Sequence, residues 1–261
     1  MTGDRVEELV ESLLWEGYAL YPYTPGATKN ATPTPFGIVY PPAYAAALDG
    51  PLDHLQLQAR LPAGAAMSAE LRFLRPEGSG HRAHERRVAL DGPSAVATIA
   101  EEGLDAVVAL VHAGDLVTLR VENHTTVLGG LERAAALAHA MISTHVVLRA
   151  PGARFTSPLE ADGCENVNTW PVLATDDDSV VVGAAMILPD HPQLAPESRG
   201  SLYDGTEIEE ALLLHVLALS DGERAQIAAA DPAVRAMVER AAAATPDELM
   251  RLHGRLEMKD G

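Results

Sequence analysis

Hydrophobic and polar residues alternate through the middle of the chain, from about residue 51 to residue 125. The stretch LDHLQLQARL places Leu55, Leu57, Ala59 and Leu61 between polar residues, and AELRFLRP, HERRVAL, VVALV and DLVTLRVEN follow at short spacing. A period of two is typical of strands with one buried face. The pattern predicts a mostly antiparallel, β-sandwich-like body. Within it, AVATIAEEGLDAVVAL could also hold a helical turn.

Helical spacing replaces this alternation near the N-terminus. Apolar residues at i, i+3, i+4 and i+7 predict a helix over residues 4–16. Asp4 is the candidate N-cap and Gly17 follows the last turn. The buried face would consist of Val6, Leu9, Val10, Leu13 and Leu14.

Two later segments have the composition or spacing of helices. LERAAALAHAMISTHVVL, residues 131–148, is rich in Ala and Leu and predicts a helix that passes into a β-branched strand near Val146. Thr206 and Glu209 have the spacing of a capping box before an apolar run. Two or three further helices are expected to open at Ser220, Asp231 and Thr245.

The segment 155–206 is broken by five prolines, and only VLA and SVVVGAAMIL within it predict strands. We therefore expect an α+β protein with an N-terminal helix, a mostly antiparallel β-sandwich-like body and a C-terminal helical segment. Residues 1–205 would form the body, and the helices of residues 206–261 would pack on it to make one compact unit.

An extended aromatic arm is predicted between the first helix and the sheets. Seven of the eleven aromatic residues fall in residues 15–44, in a stretch with six prolines between Pro22 and Pro42. Proline removes a ladder donor and restricts the preceding residue, so only Phe36 to Tyr40 could pair as a strand. The arm either packs on the sheet or binds a partner. We favour packing for its first half.

Charge and composition exclude several classes of protein. The formal net charge of −18 disfavours nucleic acid and anionic membrane surfaces. No export signal and no apolar run long enough for a bilayer occurs, so we expect a cytoplasmic protein without membrane insertion. Twelve carboxylates against Arg199 alone lie between Ser157 and Glu210.

Motifs for catalysis are missing. The chain has no Gly-x-Ser-x-Gly, Gly-x-Gly-x-x-Gly or Gly-Lys-Ser/Thr string. We therefore assign no catalytic residue, the sequence requires no cofactor, and an enzyme is not the favoured interpretation. The HxxH of His81 and His84 and the run Asp176 to Asp178 are interpreted as exposed turns.

The sequence also contains one candidate metal site. The single cysteine, Cys164, excludes an internal disulfide and a CxxC motif. Cys164 and His145 are conceivable soft-metal ligands. The alternative function is therefore a metal-handling or small-molecule-processing protein that uses His145, Cys164 and nearby carboxylates.

Three strings carry a resemblance across nearly the whole chain. LLWEGYALYPYTPGATKN (13–30), CENVNTWPVL (164–173) and PDHPQLAPESRGSLYDGTEIEEALLLHVLALSDGER (189–224) resemble an uncharacterised bacterial family whose genes lie beside those of [NiFe] hydrogenases and their maturation factors. The family pattern is matched by a Tyr-Pro-Tyr, a Lys-Asn pair and an APES to TEI segment. Trp15 and Thr24 replace a tyrosine and an arginine of that pattern.

The resemblance implies an accessory or interaction protein rather than an enzyme. Its partners would be [NiFe] hydrogenase subunits or maturation proteins, and it leaves a homo-oligomer open. Because exposed Tyr and Trp are common anchors of interfaces, the candidate partner- or ligand-binding residues are Tyr21, Tyr23, Lys29, Asn30, Trp170, Glu197, Asp204 and Glu207.

Overall fold

The computed structural model describes residues 2–15, 36–77 and 83–193, with a few isolated positions between 220 and 245. Within these residues there are three helices and nine strands. The helices are α1 (Thr2–Trp15), α2 (Pro42–Ala45) and α3 (Arg133–Leu137). The strands are β1 (His54–Arg60), β2 (Ser68–Pro76), β3 (Ala83–Asp91), β4 (Ser94–Glu101), β5 (Leu104–Ala113), β6 (Leu116–Asn123), β7 (Ile142–Arg149), β8 (Trp170–Leu173) and β9 (Val180–Ala184).

The strands form two antiparallel sheets. The four-stranded sheet has the order β1-β6-β5-β4, and the five-stranded sheet has the order β3-β2-β7-β9-β8. Every pair of neighbouring strands is antiparallel. The prediction of a mostly antiparallel β-rich body is therefore confirmed for the described part of the chain.

Both sheets contribute side chains to one hydrophobic cluster. Leu55 and Leu57 of β1, Leu71 and Phe73 of β2 and Val146 of β7 all belong to it and are buried. These positions alternate with less buried ones along β1 and β6, as the sequence predicts. The residues between them point to the opposite side, which we call the outer face of each sheet.

Helix α1 covers the outer face of the five-stranded sheet. Val6, Leu9, Val10 and Leu13 pack against Val147, Val180, Val182 and Ala184. The predicted buried face of this helix is therefore confirmed, since Leu14 is buried as well. Trp15, at the end of the helix, packs on a separate cluster that contains Tyr40 and Tyr44.

Two sequence-based expectations need correction. The helix predicted from residue 131 is only the short α3, and β7 begins at Ile142, before the strand predicted near Val146. Every side chain from Ile142 to Leu148 is buried, so tertiary packing overrides helix propensity there. Between Phe36 and Tyr40, the only ladder contacts are isolated bridges of Val39 to Leu52 and Met141.

Several expectations lie outside the described residues. These are the extended arm up to residue 35, His81 and the C-terminal helices of residues 206–261, of which only isolated positions are described. They stay predictions. His84, the second histidine of the HxxH, is exposed but lies in β3 opposite Arg75, so the predicted turn is wrong for this residue. No helix among the described residues is long and apolar enough to cross a membrane.

The sheet edges differ on the two sides of the molecule. On one side, Gln56 and Val167 exchange backbone hydrogen bonds of 3.0 and 2.9 Å along β1. Next to it, the backbone of Leu173 in β8 bonds to Asp190 and His191. On the other side, β3 and β4 are joined by a tight turn, and no described residue pairs with their free edges.

Candidate interaction surface

Trp170 is the one predicted partner- or ligand-binding residue that lies among the described residues. It opens β8 at the edge of the five-stranded sheet, opposite Ala184, and its side chain is 46% exposed. The neighbouring backbone is fixed, because Asn168 Nδ2 donates to Ile38 O at 2.9 Å and Thr169 Oγ1 donates to Ala184 O at 3.3 Å. A rigid strand therefore presents a half-exposed indole.

The other predicted binding residues cannot be located relative to Trp170. Tyr21, Tyr23, Lys29 and Asn30 of the arm, and Glu197, Asp204 and Glu207 of the acidic segment, lie outside the described residues. Their roles stay predictions. The described chain resumes at Phe36, whose side chain is half exposed, and Ile38, two residues further on, is the partner of Asn168.

His145 is fully buried. Its side chain lies on the outer face of the five-stranded sheet, the face that α1 covers. Its Nδ1 donates to Ser143 O at 2.7 Å, and its Nε2 faces the amide of Ala185 at 3.4 Å. Burial lowers its pKa to about 4, the Ser143 carbonyl opposes this shift, and the nearby Arg72 guanidinium adds to it. At neutral pH the imidazole is therefore uncharged, with both nitrogens directed at backbone groups.

Arg72 lies next to His145, because the two residues face each other across β2 and β7. The guanidinium is fully buried. Its Nε donates to Glu85 Oε1 at 2.5 Å, and its Nη1 lies 3.1 Å from Glu7 Oε1 on α1. Neither Nη1 nor Nη2 makes a hydrogen bond to a described residue, so the contact of Nη1 with Glu7 is an ion pair only. These ion pairs connect the helix to β2 and β3.

Cys164 belongs to a different part of the fold. It lies in the segment that runs along β1, where Glu165 N donates to Gln58 Oε1 at 2.7 Å. His145 is instead covered by α1. Within the described ranges, no three His, Cys, Asp or Glu side chains are grouped to hold a metal ion. The geometry therefore lends no support to a joint site of His145 and Cys164.

A charged cleft opens where β1 begins and β6 ends. Its volume is about 340 Å³, and it is lined by Pro42, Asp53, His54, Arg120, Glu122, Asn123 and His124. His54 Nδ1 lies 2.8 Å from Asp53 Oδ1, and Arg120 Nε donates to Glu122 Oε1 at 2.9 Å. This hydrogen bond from Arg120 holds the pKa of Glu122 below its usual range despite partial burial. Glu122 is therefore ionised at neutral pH.

Buried Asn123 fixes the base of this cleft. Its Nδ2 donates to Val39 O at 3.1 Å and to His139 O at 2.8 Å, and its Oδ1 accepts from Thr125 N at 2.9 Å. The amide thus satisfies three backbone groups from three segments. The charged side chains around it are attached to a rigid frame.

The outer face of the four-stranded sheet continues from the cleft and is open. Its exposed large apolar side chains are Val96 of β4, at 71%, and Val111 of β5, at 47%. In the strand register, Val96 neighbours Ala109 and Ala109 neighbours Arg120. An uncharged strip on β4 and β5 therefore adjoins the charged residues on β6 and β1.

The sequence alone does not reveal the cleft. Asp53 and His54 open one alternating stretch, and Glu122 and His124 close another that lies far along the chain. A His beside an acidic residue at a strand end is a weak signal. Only the pairing of His54 with Glu122 brings the two groups together.

Comparisons with known proteins assign no family to this chain. No protein-family model matches the chain. No curated protein matches it either. The site must therefore be interpreted from its own residues.

Proposed function

We propose that this chain is a non-catalytic, cytoplasmic accessory protein that binds a protein partner. We further propose that the partner is a subunit or a maturation protein of a [NiFe] hydrogenase. The proposal is supported by the resemblance of three strings to the hydrogenase-linked family. One of these strings, CENVNTWPVL, contains Trp170.

The observation that carries the proposal is the exposure of Trp170. Tryptophan is a large apolar side chain that dominates the energetics of interfaces when it becomes buried. Here 46% of it remains exposed on a strand whose two preceding residues are held by hydrogen bonds. An exposed indole on a fixed backbone loses less conformational entropy on binding than one on a mobile loop.

The test is affinity capture from the native host with the full chain as bait. We expect capture of hydrogenase subunits or maturation proteins, identified by mass spectrometry, and a loss of at least about tenfold for Trp170→Ala. Leu128→Ala is the matched control, since Leu128 is also exposed but lies outside the resembling strings. Equal capture by wild type and Trp170→Ala, or capture of no hydrogenase protein, would contradict the proposal.

We also propose a finer arrangement, for the body from the fold and for the C-terminus from the sequence pattern alone. Side chains from both sheets share one cluster, which favours the predicted sandwich-like arrangement. The helices of residues 206–261 would pack on this body. The alternative function, metal handling or small-molecule processing with His145 and Cys164, stays a prediction that elemental analysis of untagged protein would test.

A further inference from the structure

The open face of the four-stranded sheet has the composition of an interface. Val96 is exposed on the edge strand β4 and Val111 on the neighbouring β5, which also contributes half-buried Val107 and Ala109. No charged residue occurs in β4 between Ser94 and Ala100. Interfaces combine an uncharged area with a polar rim, and here the rim lies on one side of the uncharged strip, as the row of charged residues on β6 and β1.

The charges of this rim favour a basic partner. Carboxylates outnumber guanidinium groups around the face and its cleft, with Asp53, Asp105, Asp115 and Glu122 against Arg60 and Arg120. Both arginines are already paired, Arg60 with Asp115 at 3.0 Å and Arg120 with Glu122 at 2.9 Å. The whole chain carries a formal charge of −18, which steers cationic partners towards it.

We propose that this face is a docking surface for a basic amphipathic segment of a protein partner, with apolar residues on Val96 and Val111 and a Lys or Arg side chain in the cleft between Asp53 and Glu122. The inference rests on the proposed function in that both require a protein partner, but it uses a different surface from Trp170. It adds the chemistry of the partner.

The dimensions of the face fit such an occupant. Neighbouring strands lie about 4.8 Å apart, so β4 and β6 are separated by about 10 Å. Two turns of a helix rise by about the same distance. A helix that crosses the strands can therefore place an apolar residue over Val96 and a basic residue two turns away over Glu122. The cleft, of about 340 Å³, accommodates one long side chain.

The experiment uses the full chain and a synthetic peptide of about two heptads with leucines on one helical face and lysines on the other. A peptide of the same pattern with glutamates in place of the lysines is the control. Amide chemical-shift changes on titration with each peptide locate the binding site. We expect changes concentrated on β4, β5, β6 and the start of β1 with the lysine peptide alone.

Variants then test the two halves of the face separately. Val96→Asp and Glu122→Gln should each weaken binding of the lysine peptide about tenfold, while Leu159→Asp, at another exposed leucine, should leave it unchanged. Thermal unfolding of each variant verifies that it folds. Glu122→Gln preserves the shape of the side chain, so its effect reports the charge.

Each other outcome overturns the inference. Shift changes on the acidic stretch from Ser157 to Gln193 would show attraction by charge alone. Equal binding of both peptides would show that the face does not select a basic partner. A dimer that Val96→Asp dissociates would assign the face to a second copy of the chain.

The two proposals fail separately. Trp170→Ala should leave peptide binding unchanged. If the wild-type chain captures hydrogenase proteins through Trp170 but does not bind the lysine peptide, only the docking surface is overturned. If it binds the lysine peptide but shows no Trp170-dependent capture, only the hydrogenase proposal is overturned.

Discussion

Neutral, buried His145 should make the stability of this protein sensitive to mild acid. In the folded chain the pKa of His145 is about 4, against an ordinary value of 6.5 that applies once the chain unfolds. Between these pH values the His145 imidazole binds a proton in the unfolded state but not in the folded state. The contribution of His145 to stability is therefore fully present above pH 6.5 and is lost as the pH falls towards 4.

The size of the effect follows from the pKa difference. One unit of pKa difference corresponds to about 1.4 kcal/mol, so the loss is about 3 kcal/mol over the whole window and about 2 kcal/mol at about pH 5. Its main cause is burial, since the imidazole is fully enclosed. Protonation would also place a second cation beside Arg72.

Urea unfolding at about pH 7.5 and about pH 5 measures this loss in wild type and in His145→Asn. The asparagine amide can still donate to Ser143 O but does not titrate. We expect the variant to lose about 2 kcal/mol less than wild type between the two pH values.

Val147→Ala is the control, since it removes packing under α1 without removing a titrating group. It should keep the pH dependence of the wild type. The same acid sensitivity in His145→Asn and wild type would refute the reasoning, because the charge of His145 would then not be linked to folding.

Two further substitutions test the packing of the sheets and the base of the cleft. Gly183→Ala should destabilise the fold by about 2 kcal/mol in urea, because its methyl group would overlap Leu57 Cδ1 and lie 2.8 Å from Thr169 Oγ1. Gly129→Ala, where a methyl group meets open space, should change stability by less than about 0.5 kcal/mol. Asn123→Ala should lower the free energy of unfolding by about 3 kcal/mol, because it leaves buried backbone groups unpaired. The control Asn166→Ala, at an exposed asparagine, should lower it by less than about 1 kcal/mol. Equal effects of the two substitutions would contradict the role assigned to Asn123.

The sequence predicts the elements whose pattern is local. Alternation identifies β1, β2, β5 and β6, and helical spacing identifies the face of α1 that carries Val6 and Leu13. The helix prediction for residues 131–148 fails because the side chains from Ile142 to Leu148 are buried on both faces of the sheet. A strand of that kind has no alternation, and its composition is then indistinguishable from that of a buried helix.

The candidate sites follow the same division. Trp170 stands out in the sequence because aromatic residues are scarce, and the structure places it at an exposed edge. The cleft depends on the pairing of His54 with Glu122, which no local pattern encodes. His145, a candidate ligand by residue type, is instead a buried, neutral group because α1 covers its side of the sheet.

The unequal sheet edges limit how copies of this chain could assemble. Strand addition requires a free edge on each partner. Among the described residues, β1 and β8 are already bonded by neighbouring segments, so the free edges of β3 and β4 both lie on one side. For the part of the chain that the structure describes, strand addition would therefore be confined to this one side of the molecule.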